Sequence, residues 1–341
     1  MFTGILGNEE LKQILKRLRS GGRMPNAMLF AGPDGVGKRL FALDVARSFV
    51  CTTHENDACG VCQACVRAGQ FEFPKPDGKD AYKNVILSHH PDVGLVTTVK
   101  KQIAVDAIRD LEREAHFHPY EGSGRTFIID DADKMNEASS NALLKTLEEP
   151  DPTSHLILVT SRPDTLLSTI RSRCQVFRFA PVLTGLIEKH LLETGVADAE
   201  SAQLAARLSE GSVGRAISID IARVRGRRRE LVRTLDAAFV RGDFAAALHT
   251  GEVLNEPKNK DNFEDDLEML LTLIRDIWTI TLGGEPAVHT DIRPELEHIA
   301  RAAGPKHLSA IIEQIGLTQE RFFVNINRKL AADALFTAMA A

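Results

Sequence analysis

The chain has 341 residues, 43% hydrophobic and 26% charged, with 6% aromatics and a formal net charge of −5. This is the profile of an ordinary soluble, helix-rich protein of two or three domains, and it excludes a surface built throughout to grip nucleic acid. No run reaches the roughly 18 apolar residues of a membrane span, and the N-terminus lacks the basic-then-apolar pattern of a signal peptide, so a cytoplasmic location is expected.

The first strong signal is "AMLFA" (27–31), a strand candidate that runs into "GPDGVGKRL" (32–40). The pattern G-x-x-x-x-G-K after a strand and before a helical stretch (40–50) is that of a phosphate-binding loop. Gly32, Gly35, Val36, Gly37, Lys38 and Arg39 form it. The glycines let the backbone curl its N–H groups toward a phosphate, the helix start adds partial positive charge, and Lys38 reaches the terminal phosphates. Position 39 is Arg where Ser or Thr holds Mg²⁺ in P-loop proteins. Arg39 cannot ligate a cation, so ATP or ADP binding is compatible with the loop while Mg²⁺ binding is not favoured. A loop kept only for its fold is the alternative.

Cys51, Cys59, Cys62 and Cys65 follow, spaced C-x7-C-x2-C-x2-C. Four thiolates suit a closed, tetrahedral structural Zn²⁺ site, and Gly60 supplies the tight turn. The segment is too short for a core of its own, so metal would stabilise it. A redox pair or an iron–sulfur site is the alternative reading. "FEFPKPDGKDAYK" (71–83) reads as an exposed, mobile loop.

"VGLVT" (93–97), "TFIID" (126–130), "HLILVT" (155–160) and "CQVFRF" (174–179) are further strand candidates. With 27–31 they predict a parallel five-stranded sheet covered on both faces. Asp130 and Asp131 end the third strand as an acid pair, placed to face a metal ion and a water. Asn136 caps a helix that presents Leu143, Leu144 and Leu147 on one face and stops at Pro150. Ser161 follows the fourth strand. Arg173 stands just before the fifth, which the apolar Cys174 begins.

Beyond Pro181 the pattern is helical. "GLIEKHLLETG" (185–195) and "ESAQLAARLSEGS" (200–212) are short amphipathic helices, the second ending at Gly211. "RVRGRRRELVR" (223–233) carries six Arg and one Glu. It reads as a solvated helix start, with contact to DNA phosphate or an acidic neighbour as the alternative. Leu267, Leu270, Leu271, Ile274 and Trp278 recur at helical spacing up to Gly283.

The series "ILGNEELKQIL", "AMLFAGPDGVGK", the four cysteines, "HHPDV", "HPYEGSGRTFIIDDADKMNEASSNALLKTLEEP" and "TLLSTIRSRCQVFRF" resembles the clamp-loader subunits of bacterial DNA polymerase III, of the AAA+ class, and among them the delta-prime branch. The likeness is dense over 2–180 and thin over the last hundred residues. It implies a P-loop domain (1–180) with an inserted zinc module (51–65), a helical lid (181–222) and an all-α collar (223–341). It also implies a cytoplasmic hetero-oligomeric ring with gamma/tau motor and delta subunits. That ring uses ATP to close a sliding clamp around primed DNA. In this family the Arg of Ser-Arg-Cys enters the neighbour's ATP site, which makes Arg173 an arginine finger in trans.

Three departures distinguish this chain from the motors of such a ring. Arg39 replaces the Mg²⁺-holding hydroxyl. Asp131 replaces the glutamate that polarises water, and a displacement of about 1 Å in such a base costs on the order of 10²-fold. "GSVGRA" puts Gly214 where motors carry a second sensor Arg, and Arg215, one residue on, is turned by about 100° around the helix. Ser161 falls near the first sensor position. A stator with weak or absent ATPase is therefore expected. A gamma/tau-like motor, or a zinc-containing DNA repair ATPase, is the alternative. No carboxylate set suits a polymerase site, so any polymerase activity belongs to the assembly.

Overall fold

The computed structural model describes residues 1–75, 82–98, 102–243 and 263–322. It divides into two compact units: residues 1–196 with 209–217, and 197–208 with 218–341.

The first unit is built on a six-stranded sheet: β1 (Ala27–Ala31), β2 (Ile86–Leu87), β3 (Val93–Val96), β4 (Arg125–Ile129), β5 (Ser154–Thr160) and β6 (Gln175–Arg178), in the order β2-β3-β4-β5-β1-β6. Every pairing is parallel except β2 with β3. The expected five-stranded parallel sheet is thus corrected to six. The sixth, β2, is a two-residue antiparallel edge, too short to leave any periodic trace in the sequence.

β1, β3, β4 and β5 are buried along their whole length, which is why they read as continuous apolar runs. The period of two still sorts their side chains. Met28 and Phe30 of β1 join a core with Leu15 of α1 (Glu9–Ser20) and Phe41 and Val45 of α2 (Lys38–Val50). Ala27, Leu29 and Ala31 point to the other face, where α4 (Val105–Ala115) contributes Ile108 and Leu111, and α5 (Glu137–Glu148) contributes Leu143 and Leu147. Each fully buried Leu, Ile, Val, Phe or Met among them contributes about 1.5–3 kcal/mol relative to exposure. Asn136 caps α5 as expected, its side chain accepting from the Ser139 N–H at 2.9 Å. Between α2 and β2 lies the short α3 (Gln63–Ala68). Of the 71–83 loop, residues 76–81 lie outside the described residues.

Two buried charges fasten the sheet to its loops. Asp92, just before β3, accepts three hydrogen bonds, from the N–H groups of Tyr120, Glu121 and Gly122 at 2.8, 2.9 and 2.8 Å. Arg125, which opens β4 fully buried, donates to the Glu114 carbonyl, the Glu114 carboxylate and the Pro91 carbonyl at 2.5, 3.0 and 3.0 Å. α6 (Ser168–Arg171) leads into β6, and α7 (Thr184–Glu193) and residues 209–217 complete this unit.

The second unit is all-helical: α8 (Ala199–Leu208), α10 (Ile221–Phe239), α11 (Phe263–Thr281), α12 (Arg293–Ala302) and α13 (Pro305–Phe322), with α9 (Val213–Ser218) lying in sequence between the first two. Leu267, Leu270, Ile274 and Ile277 of α11 pack with Leu231 and Leu235 of α10, Leu296 and Ile299 of α12, and Leu308, Ile311 and Ile315 of α13. α8 ends at Leu208, three residues before the expected Gly211. No helix among the described residues is long and apolar enough to cross a membrane.

His289 sits fully buried in this unit, its Nε2 3.0 Å from the Thr272 hydroxyl. That hydroxyl already donates its proton to the Met269 carbonyl, so His289 must donate through Nε2–H, and its Nδ1 is left bare and neutral. Burial, with the Arg228 cation adding to it, pulls His289 down to about 3. A histidine whose folded-state pKa lies below its unfolded value stabilises the fold fully above about pH 6.5 and progressively less as pH falls. Urea unfolding followed from about pH 7 to about pH 4 should show the helical unit weakening over that window, and His289→Gln should flatten this part of the slope.

Candidate functional site

The parallel register brings the carboxyl ends of three strands together. β1 delivers Gly32, β4 delivers Asp130 and Asp131, and β5 delivers Thr160 and Ser161. Between them lies a cavity of ≈ 430 Å³, walled by the phosphate loop, by Gly4, Ile5 and Leu6 near the N-terminus, by the acid pair, and by His190, Gly214 and Ile217. Val36, Lys38, Arg39 and Ser161 all line it.

Gly35 takes a left-handed backbone with φ +70°, and a Cβ there would stand 2.0 Å from the Ser212 hydroxyl. Only glycine allows that approach. The loop is also held from outside: the Gly214 N–H donates to the Gly35 carbonyl at 3.1 Å. Lys38 is buried at the start of α2, and its ammonium donates to the Gly32 and Pro33 carbonyls, each at 2.6 Å. Burial lowers its pKa, partly offset by Asp34.

Both acids at the end of β4 are tied to cations of this chain. Arg39 Nη1 donates to Asp130 Oδ2 at 3.2 Å. Burial raises the Asp130 carboxyl above the usual range, and the Arg39 charge opposes that. Asp131 has a left-handed backbone, φ +52°, and accepts from Lys134 Nζ at 2.7 Å. Next to them, Asp133 accepts from the Thr160 hydroxyl at 2.7 Å and from Arg162. Its burial alone would raise its pKa, but these two donors outweigh it. Gly214 faces the cavity, whereas Arg215 is not among the residues that line it.

Arg173 does not line this cavity either. It follows α6 on the surface, 36% exposed, donating to the Thr169 carbonyl at 3.0 Å and to the Glu148 carboxylate at 2.6 Å. Cys174 beside it is buried, and burial pushes its thiol up to about 12.

The four cysteines after α2 converge, their Sγ atoms all within 4.8 Å of one another. Cys51 and Cys62 are 3.9 Å apart and Cys59 and Cys65 4.0 Å. A tetrahedron with about 2.3 Å metal–sulfur bonds has edges of about 3.8 Å. The Gly60 φ of +75° makes the turn between Cys59 and Cys62. Backbone N–H groups already point at the sulfurs, Cys62 N to Cys59 at 3.2 Å and His54 N to Cys51 at 3.4 Å, as a thiolate requires. Burial works against the Cys62 thiolate, yet donors from Cys65 and Thr52 draw that thiol down to about 5. The cluster can hold a metal ion.

The arginine run of α10 finds its partners within its own unit. Arg227 donates to Asp266 at 2.8 and 3.1 Å, Arg228 grips Asp291 through both terminal nitrogens, and Arg225 pairs with Glu200. Arg223, Arg229 and Arg233 are exposed. Three of the six arginines, Arg225, Arg227 and Arg228, are thus paired with acids of the same chain rather than solvated. Sequence reasoning missed Asp92, Arg125 and Lys134. Asp92 and Arg125 stand in stretches already singled out, but nothing local marks them as buried partners.

A strand, a glycine-rich loop, a helix opening on lysine and an acid at the end of a parallel neighbour define a P-loop protein. Residues 7–183 match the family described as DNA polymerase III, delta subunit, and residues 226–339 the family of its C-terminal region. The chain is 27% identical to the delta-prime subunit of Bacillus subtilis DNA polymerase III over 94% of its own length and 93% of that protein. It is 26% identical to the Escherichia coli delta-prime subunit over 91% and 87%. The Escherichia coli tau subunit is 31% identical, over 64% of this chain and 32% of tau. The chain belongs to the DNA polymerase III delta-prime family of clamp-loader subunits.

Proposed function

We propose that the chain is the stator of its clamp loader: a ring-building subunit that does not hydrolyse ATP itself and lends Arg173 to a neighbour's ATP site. The observation that carries this is the pairing of both strand-end acids, Asp130 with Arg39 and Asp131 with Lys134. Hydrolysis on a P-loop needs one acid free to hold Mg²⁺ and a residue free to orient the attacking water. Asp130 and Asp131 are each occupied by a cation of the same chain, and the hydroxyl that would complete a metal site is absent at position 39. The motor reading loses support on the same ground. The near full-length likeness to delta-prime subunits leaves the DNA repair reading without support.

Arg173 suits the finger role because it is exposed, lies outside its own cavity and carries a planar fork that stays charged. Glu148 pairs with it, an ion pair weak enough at the surface to be exchanged for phosphate. The partners of this reading are gamma/tau and delta subunits and, through the ring, the sliding clamp and primed DNA. In it, residues 181–222 act as a lid and 223–341 as the collar, in the cytoplasm. The thiolate cluster is assigned a structural Zn²⁺, held by Cys51, Cys59, Cys62 and Cys65. Four sulfur ligands leave no open position for catalysis. ADP or ATP fits the phosphate loop; Mg²⁺ does not fit the residues beside it.

Two measurements test this. The isolated chain should show no ATP turnover above background. In the reconstituted ring Arg173→Ala should cut turnover at the receiving site by about 10³-fold or more, with Arg173→Lys failing to restore it. Robust turnover by the isolated chain, or an unaffected ring, would remove the reading. The purified protein should also carry one zinc ion per chain by elemental analysis. Cys59→Ser should lose that ion, and chelation should lower thermal stability.

A further inference from the structure

In P-loop enzymes two protein groups hold the cation that accompanies the nucleotide: the hydroxyl after the loop lysine and the acid at the end of the neighbouring strand. Here the first position is Arg39 and the second, Asp130, receives the Arg39 guanidinium at 3.2 Å. The side chain therefore starts at one metal-holding point and ends at the other. A divalent cation approaching Asp130 meets a fixed positive charge instead of an oxygen.

We propose that this chain binds a nucleoside diphosphate without a divalent cation, the Arg39 guanidinium standing in the place of the metal. The proposal rests on the phosphate loop being a nucleotide site. Three features of the site support it. First, Arg39 lines the cavity together with Lys38, Gly35 and Gly37, so its charge faces the space where phosphates would lie. Second, one terminal nitrogen serves Asp130, and a guanidinium has five N–H donors, which leaves donors for phosphate oxygens. Third, the Arg39 side chain is 54% exposed, against 15% for Asp130, so the arginine can turn while the acid stays fixed. The guanidinium remains charged at any working pH and matches phosphate bidentately.

Charge sets the ligand class. Arg39 brings one positive charge where a metal would bring two, and Asp130 still shares it. With Lys38 and the start of α2 (about half a charge), the site is better matched to a diphosphate than to a triphosphate. Asp130 then acts as a competitor for Arg39, the reverse of its role in a metal-dependent site.

That reversal gives the test. ADP binding to the full chain is measured by calorimetry in excess EDTA and in excess Mg²⁺. The wild type should bind with affinities within about threefold of each other in the two buffers. Arg39→Ser should weaken binding in EDTA by about tenfold or more, the loss expected for one charged hydrogen bond, and should regain affinity when Mg²⁺ is added. Arg39→Lys keeps the charge and should stay metal-independent. Asp130→Asn frees the guanidinium and should tighten binding in EDTA, whereas in a Mg²⁺ site it would weaken it. Circular dichroism confirms that each variant is folded. Wild-type binding that needs Mg²⁺, or Arg39→Ser binding like wild type in EDTA, overturns the proposal. No ADP bound in either buffer overturns the nucleotide reading and this proposal with it, while leaving the Arg173 experiment in the ring untouched.

Discussion

Parallel pairing of β5 with both β1 and β4 is the constraint on which the first unit's chemistry depends. Ala31 is matched with Thr160 and Ile129 with Leu158. All three strands therefore end at one edge, and the groups that follow them meet there without any long loop having to reach. The glycine-rich turn, the acid pair and Ser161 are spread over more than a hundred residues of sequence. They become neighbours because three short apolar strands share a direction. Burial on both faces makes that direction stable: each strand offers alternate side chains to two separate cores, so no slip of one residue is tolerated.

The charges at this edge are settled within the chain. Lys38 is taken up by loop carbonyls, Arg39 by Asp130, and Lys134 by Asp131. A catalytic phosphoryl-transfer site leaves such groups aimed at the reacting atoms, so that their field is available in the transition state. Here the two acids that would hold a metal and a water are paired within the chain. Arg173, at the surface, meets the Thr169 carbonyl and Glu148, a residue 50% exposed, and solvent screens that ion pair. Paired charge is thus concentrated around the phosphate loop, while Arg173 stands at the surface with an exposed partner.

The sequence made the periodic and the local features legible. Continuous apolar strands, the glycine loop, the Asn136 cap and the cysteine spacing each follow from a few adjacent residues, and the structure has them where expected. β2 escaped because two residues cannot display a period. Asp92 and Arg125 escaped because their meaning lies in burial and in partners brought to them by the fold, from 11 to 34 residues away. The arginine run was only half legible: Arg227 and Arg228 find acids 39 and 63 residues further on, a pairing that no local pattern encodes. Arg39 is the instructive case. Its departure from the motif was visible at once, but its partner, 91 residues away, appears only in the fold.

α2 has Lys38 as its first residue and Cys51 immediately after its last. Its 13 residues make a rod of about 20 Å. A helix this short, with Phe41, Val45 and Phe49 packed along it, behaves as a stiff lever. Its two ends cannot tilt independently. The cysteine cluster at one end and the glycine turn at the other therefore share a single orientation, and a shift of the four sulfurs would tilt the phosphate loop with them.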